Sequence, residues 1–214
     1  METVLILDFG AQYSQLIARR VREQNVYCEV KPCSISPDEI RELAPIGIIL
    51  SGGPQSVYES VSLHVDPALF SLGIPVLGIC YGCQLMAYSL GGTVAAATEA
   101  TAREYGKTLT EFDTESAIFH GLPASSVTWM SHGDYISQVP DGFTVTAKTA
   151  VCPTAAMACP EKKLYGVQFH PEVQHTVQGS EILRRFLYSV CGASGDWTMA
   201  DYRQTAIRAI REKV

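Results

Sequence analysis

At 214 residues, with a formal net charge of −6 and a sequence pI near 5.3, the chain is long enough to bury a full core and too acidic to carry a nucleic-acid footprint. No apolar run approaches the ~20 residues that span a bilayer, and Met1-Glu2-Thr3-Val4 lacks the basic-then-apolar order of a secretory signal. The seven cysteines (Cys28, Cys33, Cys80, Cys83, Cys152, Cys159 and Cys191) are odd in number and scattered, so reduced thiols in a cytoplasmic protein are expected rather than a disulfide framework.

In chain order, Val4 to Gly10 reads as a strand ending in a turn. Ala11 to Asn25 reads as an amphipathic helix with Leu16, Ile17 and Val21 on one face. Val26 to Val30 is a second strand. Ser36-Pro37-Asp38-Glu39 combines a capping-box spelling with proline at the first helical position, and starts a short helix through Leu43. Gly47 to Leu50 is a third strand, opening into Ser51-Gly52-Gly53-Pro54, and Ile74 to Ile79 has the length and branching of a strand buried on both faces. Leu85 to Leu90 before Gly91-Gly92 reads as a helix with a glycine stop.

This repetition of strand and helix predicts an α/β fold: a mostly parallel, doubly wound sheet with helices on both faces. After Gly92 the texture changes. Lys107 to Phe112, Ser126 to His132, Phe143 to Thr149 and Thr154 to Ala158 are short and often alternating, and are expected to extend the sheet as antiparallel strands. Lys163 to Phe169 is another strand and Gly179 to Cys191 a helix. Gly192 to Gly195 reads as a linker, and Met199 to Val214 as a terminal helix with no stop signal. The expected organisation is therefore a domain over 1–192, with 193–214 as linker and terminal helix.

The chemistry centres on Gly78-Ile79-Cys80-Tyr81-Gly82, a cysteine version of the nucleophile elbow. Small residues on either side allow a sharp strand-to-helix turn that holds an exposed thiol at the first N–H groups of the helix, whose partial charge favours thiolate. His170-Pro171-Glu172 supplies a base. Proline keeps His170 extended, and in an extended stretch residues two apart face the same way, so Glu172 would project beside the imidazole and orient it. Ser51 to Pro54 offers flexible backbone N–H groups that could join that of Tyr81 as an oxyanion hole. Other readings of the same residues are a redox pair at Cys80-Tyr81-Gly82-Cys83, a metal site from Cys80, Cys83, His170 and His175, and a non-catalytic binding module.

Gly-Ile-Cys-Tyr-Gly-Cys-Gln, Ser-Gly-Gly-Pro and Phe-His-Pro-Glu together resemble the three signatures of class I, triad-type glutamine amidotransferases. Ile6 to Tyr13, Arg103 to Gly106, Trp129 to Asp134 and Pro171 to Thr176 resemble, within that class, the amidotransferase part of the GMP synthetase group. Ala11 and Ser14 stand where serine and threonine are expected. The resemblance implies Cys80 as nucleophile, His170 as general base and acid, and Glu172 as orienter. It gives Gly53 and Tyr81 the oxyanion N–H groups, and Gln84, Ser131, Gly133 and Asp134 the substrate glutamine. It also implies no metal and no cofactor in this part. ATP and magnesium would serve a separate ATP-pyrophosphatase domain that aminates xanthosine monophosphate (XMP), and a homodimer could form through that further region.

Overall fold

The computed structural model describes residues 2–11, 13–60, 62–97 and 103–200, together with Ile207 and Arg211. Its frame is a nine-stranded sheet. The parallel part is built from β1 (Thr3–Asp8), β2 (Tyr27–Pro32), β3 (Gly47–Leu50), β4 (Val76–Ile79) and β11 (Leu164–Val167), in the order β2-β1-β3-β4-β11. The remaining members, β10 (Ala156–Cys159), β9 (Thr144–Lys148), β6 (Glu104–Phe112) and β7 (Ser125–His132), continue it antiparallel, as the alternating sequences predict.

Helices cover both faces. On β1, Val4 and Ile6 point to a core shared with Ile17, Ala18 and Val21 of α1 (Ser14–Glu23) and Ile182 and Leu183 of α4 (Gly179–Arg185). Leu5 and Leu7 point the other way, to a core with Ile40 of α2 (Pro37–Leu43) and Leu85 and Met86 of α3 (Tyr81–Ser89). This alternation is the period of two that a strand with helices on each side requires. The capping box at α2 is present: Ser36 Oγ accepts from Glu39 N–H at 3.2 Å, and Glu39 Oε2 accepts from Ser36 N–H at 2.9 Å.

Several boundaries differ from the sequence reading. The strand expected from Ile74 begins at Val76, because Pro75 has no N–H to give the ladder and only its carbonyl pairs, with Ile48 N–H. The strand from Lys163 begins at Leu164, since Lys163 is left-handed at φ 56°. The helix expected from Leu85 already starts at Tyr81. The long helix to Cys191 is α4 followed by a π-helical turn over Phe186–Val190. A two-stranded ribbon of β5 (Thr93–Ala96) and β8 (Asp134–Gln138) carries no strong hydrophobic pattern and escaped the sequence reading. Of the expected terminal helix, Met199, Ala200, Ile207 and Arg211 are helical and the rest lies outside the described residues. The linker residues lie against the domain: Ser194 N–H donates to Glu2 Oε2 at 2.8 Å, Trp197 N–H donates to Asn25 O at 3.2 Å, and the Trp197 ring sits 6.0 Å from that of Tyr27.

Candidate active site

The parallel strands deliver their carboxyl ends to one edge, where open α/β sheets place their sites. β4 ends at Cys80, which caps α3 with φ 51° and ψ −107°, a conformation that side chains with a Cβ rarely hold. The turn is sharp enough that its glycines are obligatory. A Cβ on Gly82 would sit 2.5 Å from the Leu50 carbonyl oxygen, and one on Gly78 would sit 2.6 Å from that of Gly82. With both absent, α3 can press against β3 and β4. In its first turn the Gly82 N–H donates to Ser51 O, and those of Cys83 and Gln84 donate to Cys80 O, which leaves the Tyr81 N–H with no carbonyl acceptor among the described residues. Cys80 is only 7% exposed, so the exposed thiol expected at the elbow is a buried one that opens into the pocket it lines.

β11 lies beside β4 with Val167 opposite Ile79, and Cys80 N–H donates to Val167 O at 2.8 Å. The next residues of that chain therefore arrive level with the thiol. His170 and Cys80 both flank Gly52, where an added Cβ would lie 3.3 Å from the imidazole Cε1 and 3.8 Å from the Cys80 Cβ, and His170 Nδ1 lies 2.8 Å from Glu172 Oε1. The expected His170–Glu172 pair is present, but Pro171 and Glu172 lie in a turn rather than in the extended stretch that the sequence predicts. Burial alone would push the imidazole pKa down, but its interactions with Cys80 and Glu172 outweigh it and hold His170 well above its ordinary value, as an imidazolium. Two motif residues and Arg20 of α1 clamp the main chain around it: His170 N–H donates to Trp129 O, Thr176 Oγ1 donates to His170 O at 2.6 Å, and Arg20 Nε donates to Glu172 O at 2.9 Å.

In front of Cys80 lies a cavity of about 470 Å³. Gly53, Tyr81, Gln84, Ser131, Gly133 and Asp134 all line it, so the structure brings together every oxyanion and substrate residue expected from sequence. A Cβ on Gly53 would press on Phe9 O at 3.1 Å and on the Tyr81 ring at 3.2 Å, which keeps this backbone close to the elbow. Sequence reasoning missed three participants. Ser56 Oγ and Tyr58 OH donate to the Asp134 carboxylate at 2.5 and 3.0 Å across the pocket. Gln168, wholly buried at the end of β11, donates from Nε2 to Cys80 Sγ at 3.7 Å. Its place immediately before Phe-His-Pro-Glu was the available signal.

The competing readings lose their geometry. Cys83 is fully buried, points at β11 where a Cβ on Gly166 would lie 2.5 Å from its sulfur, and is held as a thiol far above its usual range by that burial. It is a packing residue, not the resolving half of a redox pair. His175 packs on the Trp129 ring with centroids 4.7 Å apart, so Cys80, Cys83, His170 and His175 do not form a ligand set. Among the described residues the convergent trio of ligand types is a different one, Glu104, His132 and Cys152. All seven cysteines are free.

An elbow cysteine, a histidine and a glutamate on the carboxyl edge of such a sheet define a triad-type amidotransferase. The model of the family "glutamine amidotransferase class-I" matches residues 5–190, and the chain belongs to this family. Its similarity narrows further, to proteins named GMP synthase (glutamine-hydrolyzing). Those of Clostridium botulinum strain Alaska E43 and Acetivibrio thermocellus are 54% and 55% identical over 213 residues, covering 100% of this chain. The chain spans 41% of the length of these relatives. Among solved structures, a protein of Thermoplasma acidophilum described as a candidate GMP synthase subunit is 31% identical with a TM-score of 0.79, covering 96% of this chain and 98% of that one. A glutamine amidotransferase of Thermotoga maritima shares the fold at 20% identity and a TM-score of 0.69, covering 90% and 99%. No helix among the described residues is long and apolar enough to cross a membrane.

Proposed function

We infer that the chain hydrolyses glutamine to glutamate and ammonia, and that the ammonia serves the amination of XMP to GMP. The observation that carries the hydrolysis is the Cys80–His170–Glu172 constellation facing a pocket lined by Gln84, Ser131, Gly133 and Asp134. The Cys80 thiolate adds to the side-chain carboxamide carbon, and the resulting oxyanion is met by the N–H groups of Gly53 and Tyr81. The C–N bond then breaks as His170 gives its proton to the departing nitrogen, releasing ammonia and leaving a glutamyl thioester. Water, deprotonated by the now neutral His170, attacks the thioester, expels the thiolate and yields glutamate. Glu172 keeps the Nδ1 proton in place throughout.

What supports the GMP destination is the identity of 53–55% to named GMP synthases along the whole chain. On that reading residues 1–192 form the amidotransferase domain, and 193–214 lead to an ATP-pyrophosphatase domain. ATP and magnesium act in that second domain, any homodimer forms through it, and the enzyme works in the cytoplasm. The test is glutamate release by the chain alone and with a GMP synthase ATP-pyrophosphatase domain, ATP, magnesium and XMP. Release should rise on adding them and vanish in Cys80→Ala, with Glu172→Ala hurting less than His170→Ala. Equal rates in every condition would refute the GMP assignment, and release by Cys80→Ala would refute the nucleophile.

A further inference from the structure

The two glutamines beside the nucleophile form a chain of amides whose polarity can be worked out. It begins at the Asp134 main-chain carbonyl, which is an acceptor only. The Gln84 amide atom 2.8 Å from it must therefore be the nitrogen, and the same Nε2 spends its second hydrogen on Gln168 Oε1 at 3.0 Å. With its oxygen committed to Gln84, Gln168 has only its NH2 end left to turn toward Cys80 Sγ, 3.7 Å away. Neither amide can flip without setting two oxygens or two nitrogens face to face in a buried site. A second donor, His132 Nδ1 at 3.0 Å, fixes the Asp134 carbonyl from the other side.

We propose that Gln168 is a positioning residue for the nucleophile, presenting a donor N–H to the Cys80 sulfur with a polarity imposed by the Asp134 carbonyl through Gln84. The relay rests on the reading of Cys80 as the attacking thiol. It deepens that reading in two ways. The thiolate receives an N–H donor independent of His170, from a side chain that is itself wholly buried. The same carbonyl that sets the polarity belongs to the residue whose carboxylate lines the glutamine pocket, so displacement of the 131–134 segment by substrate is felt at sulfur. Gln84 also changes role: both its N–H groups are engaged inside the protein, and its Oε1 alone remains to meet a substrate donor.

The test is the pH dependence of Cys80 alkylation by iodoacetamide, located by peptide mass spectrometry, which needs neither turnover nor a second domain. The wild-type chain is compared with Gln168→Leu, Gln168→Glu and the double variant Gln84→Leu/Gln168→Leu, each checked for folding by circular dichroism. Loss of the donor should move the rate–pH profile of Gln168→Leu to higher pH, with labelling about tenfold slower on its rising limb. Gln168→Glu, nearly the same shape but with a carboxylate facing the sulfur, should move it further. The double variant should be no slower than Gln168→Leu, because Gln84 acts on sulfur only through Gln168. A wild-type profile in Gln168→Leu, equal shifts for leucine and glutamate, or a double variant slower than Gln168→Leu would each overturn the relay. If leucine prevents folding, Gln168→Met carries the same comparison. No preferential labelling of Cys80 in the wild type would instead overturn the nucleophile reading, so the two failures are distinguishable.

Discussion

Gly82→Ala tests how the elbow is built. Gly82 has an ordinary helical backbone, so alanine should suit α3 on propensity alone. The obstacle is across the interface: the new Cβ would lie 2.5 Å from Leu50 O and 2.6 Å from Leu50 Cβ. Leu50 belongs to β3, which is hydrogen-bonded on both sides within the sheet, so α3 must yield instead, by about 0.9 Å to reach ordinary contact at 3.4 Å. Overpacking of this kind costs up to about 3 kcal/mol. For a chain of this length that corresponds to a fall in Tm of about 6–12 °C. The helix carries Cys80 and the Tyr81 N–H with it, and a displacement near 1 Å in such a site costs on the order of a hundredfold in rate. Differential scanning calorimetry, together with the rate of Cys80 labelling by a diazo-ketone analogue of glutamine, measures both effects. Gly73→Ala is the control, since open space surrounds its Cβ position and only its positive φ of 75° is penalised, by roughly 1–2 kcal/mol, far from the thiol. A Gly82→Ala protein with wild-type Tm and labelling would refute the close-approach argument.

His170 should remain protonated well into the alkaline range, where an ordinary imidazole is neutral, when its ring signals are followed by NMR against pH. In Cys80→Ala its titration should move to lower pH, because burial then faces only the Glu172 hydrogen bond. A wild-type midpoint at or below neutrality would contradict the imidazolium. Cys83→Ala should label at Cys80 as the wild type does, whereas loss of labelling would revive the dithiol reading. Gly166→Ala should lower Tm by forcing its Cβ onto the Cys83 sulfur, and adding Cys83→Ala should restore most of the loss.

The Cys80–His170–Glu172 constellation was legible in sequence because each of its parts is dictated locally. Glycines at 78 and 82 are needed to bring backbone within van der Waals reach of backbone, and His170 and Glu172 are only two residues apart, joined through the turn at Pro171. Such requirements leave a mark within a few residues. The parallel strands were legible for a related reason, since burial on both faces demands uninterrupted apolar runs. The β5–β8 ribbon imposes neither demand. Its first strand is half exposed, and the chain leaves β7 for β8 at Gly133, whose carbonyl accepts from Ala97 N–H at 2.9 Å. That contact joins positions far apart in sequence, and no local pattern announces it.

The same distinction separates the groups that react from the groups that aim them. Ser56 and Tyr58 reach Asp134 across 78 and 76 positions of chain, and Gln84 reaches Gln168 across 84. Ser56 and Tyr58 are ordinary loop residues that nothing in their neighbours marks, and the two glutamines sit in or beside a signature without anything local announcing that they meet. Their roles follow from register. Because β4 and β11 pair with Ile79 opposite Val167, the residue after each strand meets the other, and a cysteine is set level with a glutamine. A shift of one residue in that pairing would present Phe169 to the sulfur and turn His170 away from it, while leaving every signature in the sequence intact. In that pairing Gly78 stands opposite Gly166, where the Cys83 side chain occupies the space a Cβ on Gly166 would fill. Cys83 of the Cys-x-x-Cys thus serves as packing between α3 and β11, with no demand on the thiol itself, which is why its replacement by alanine should leave Cys80 labelling as in the wild type.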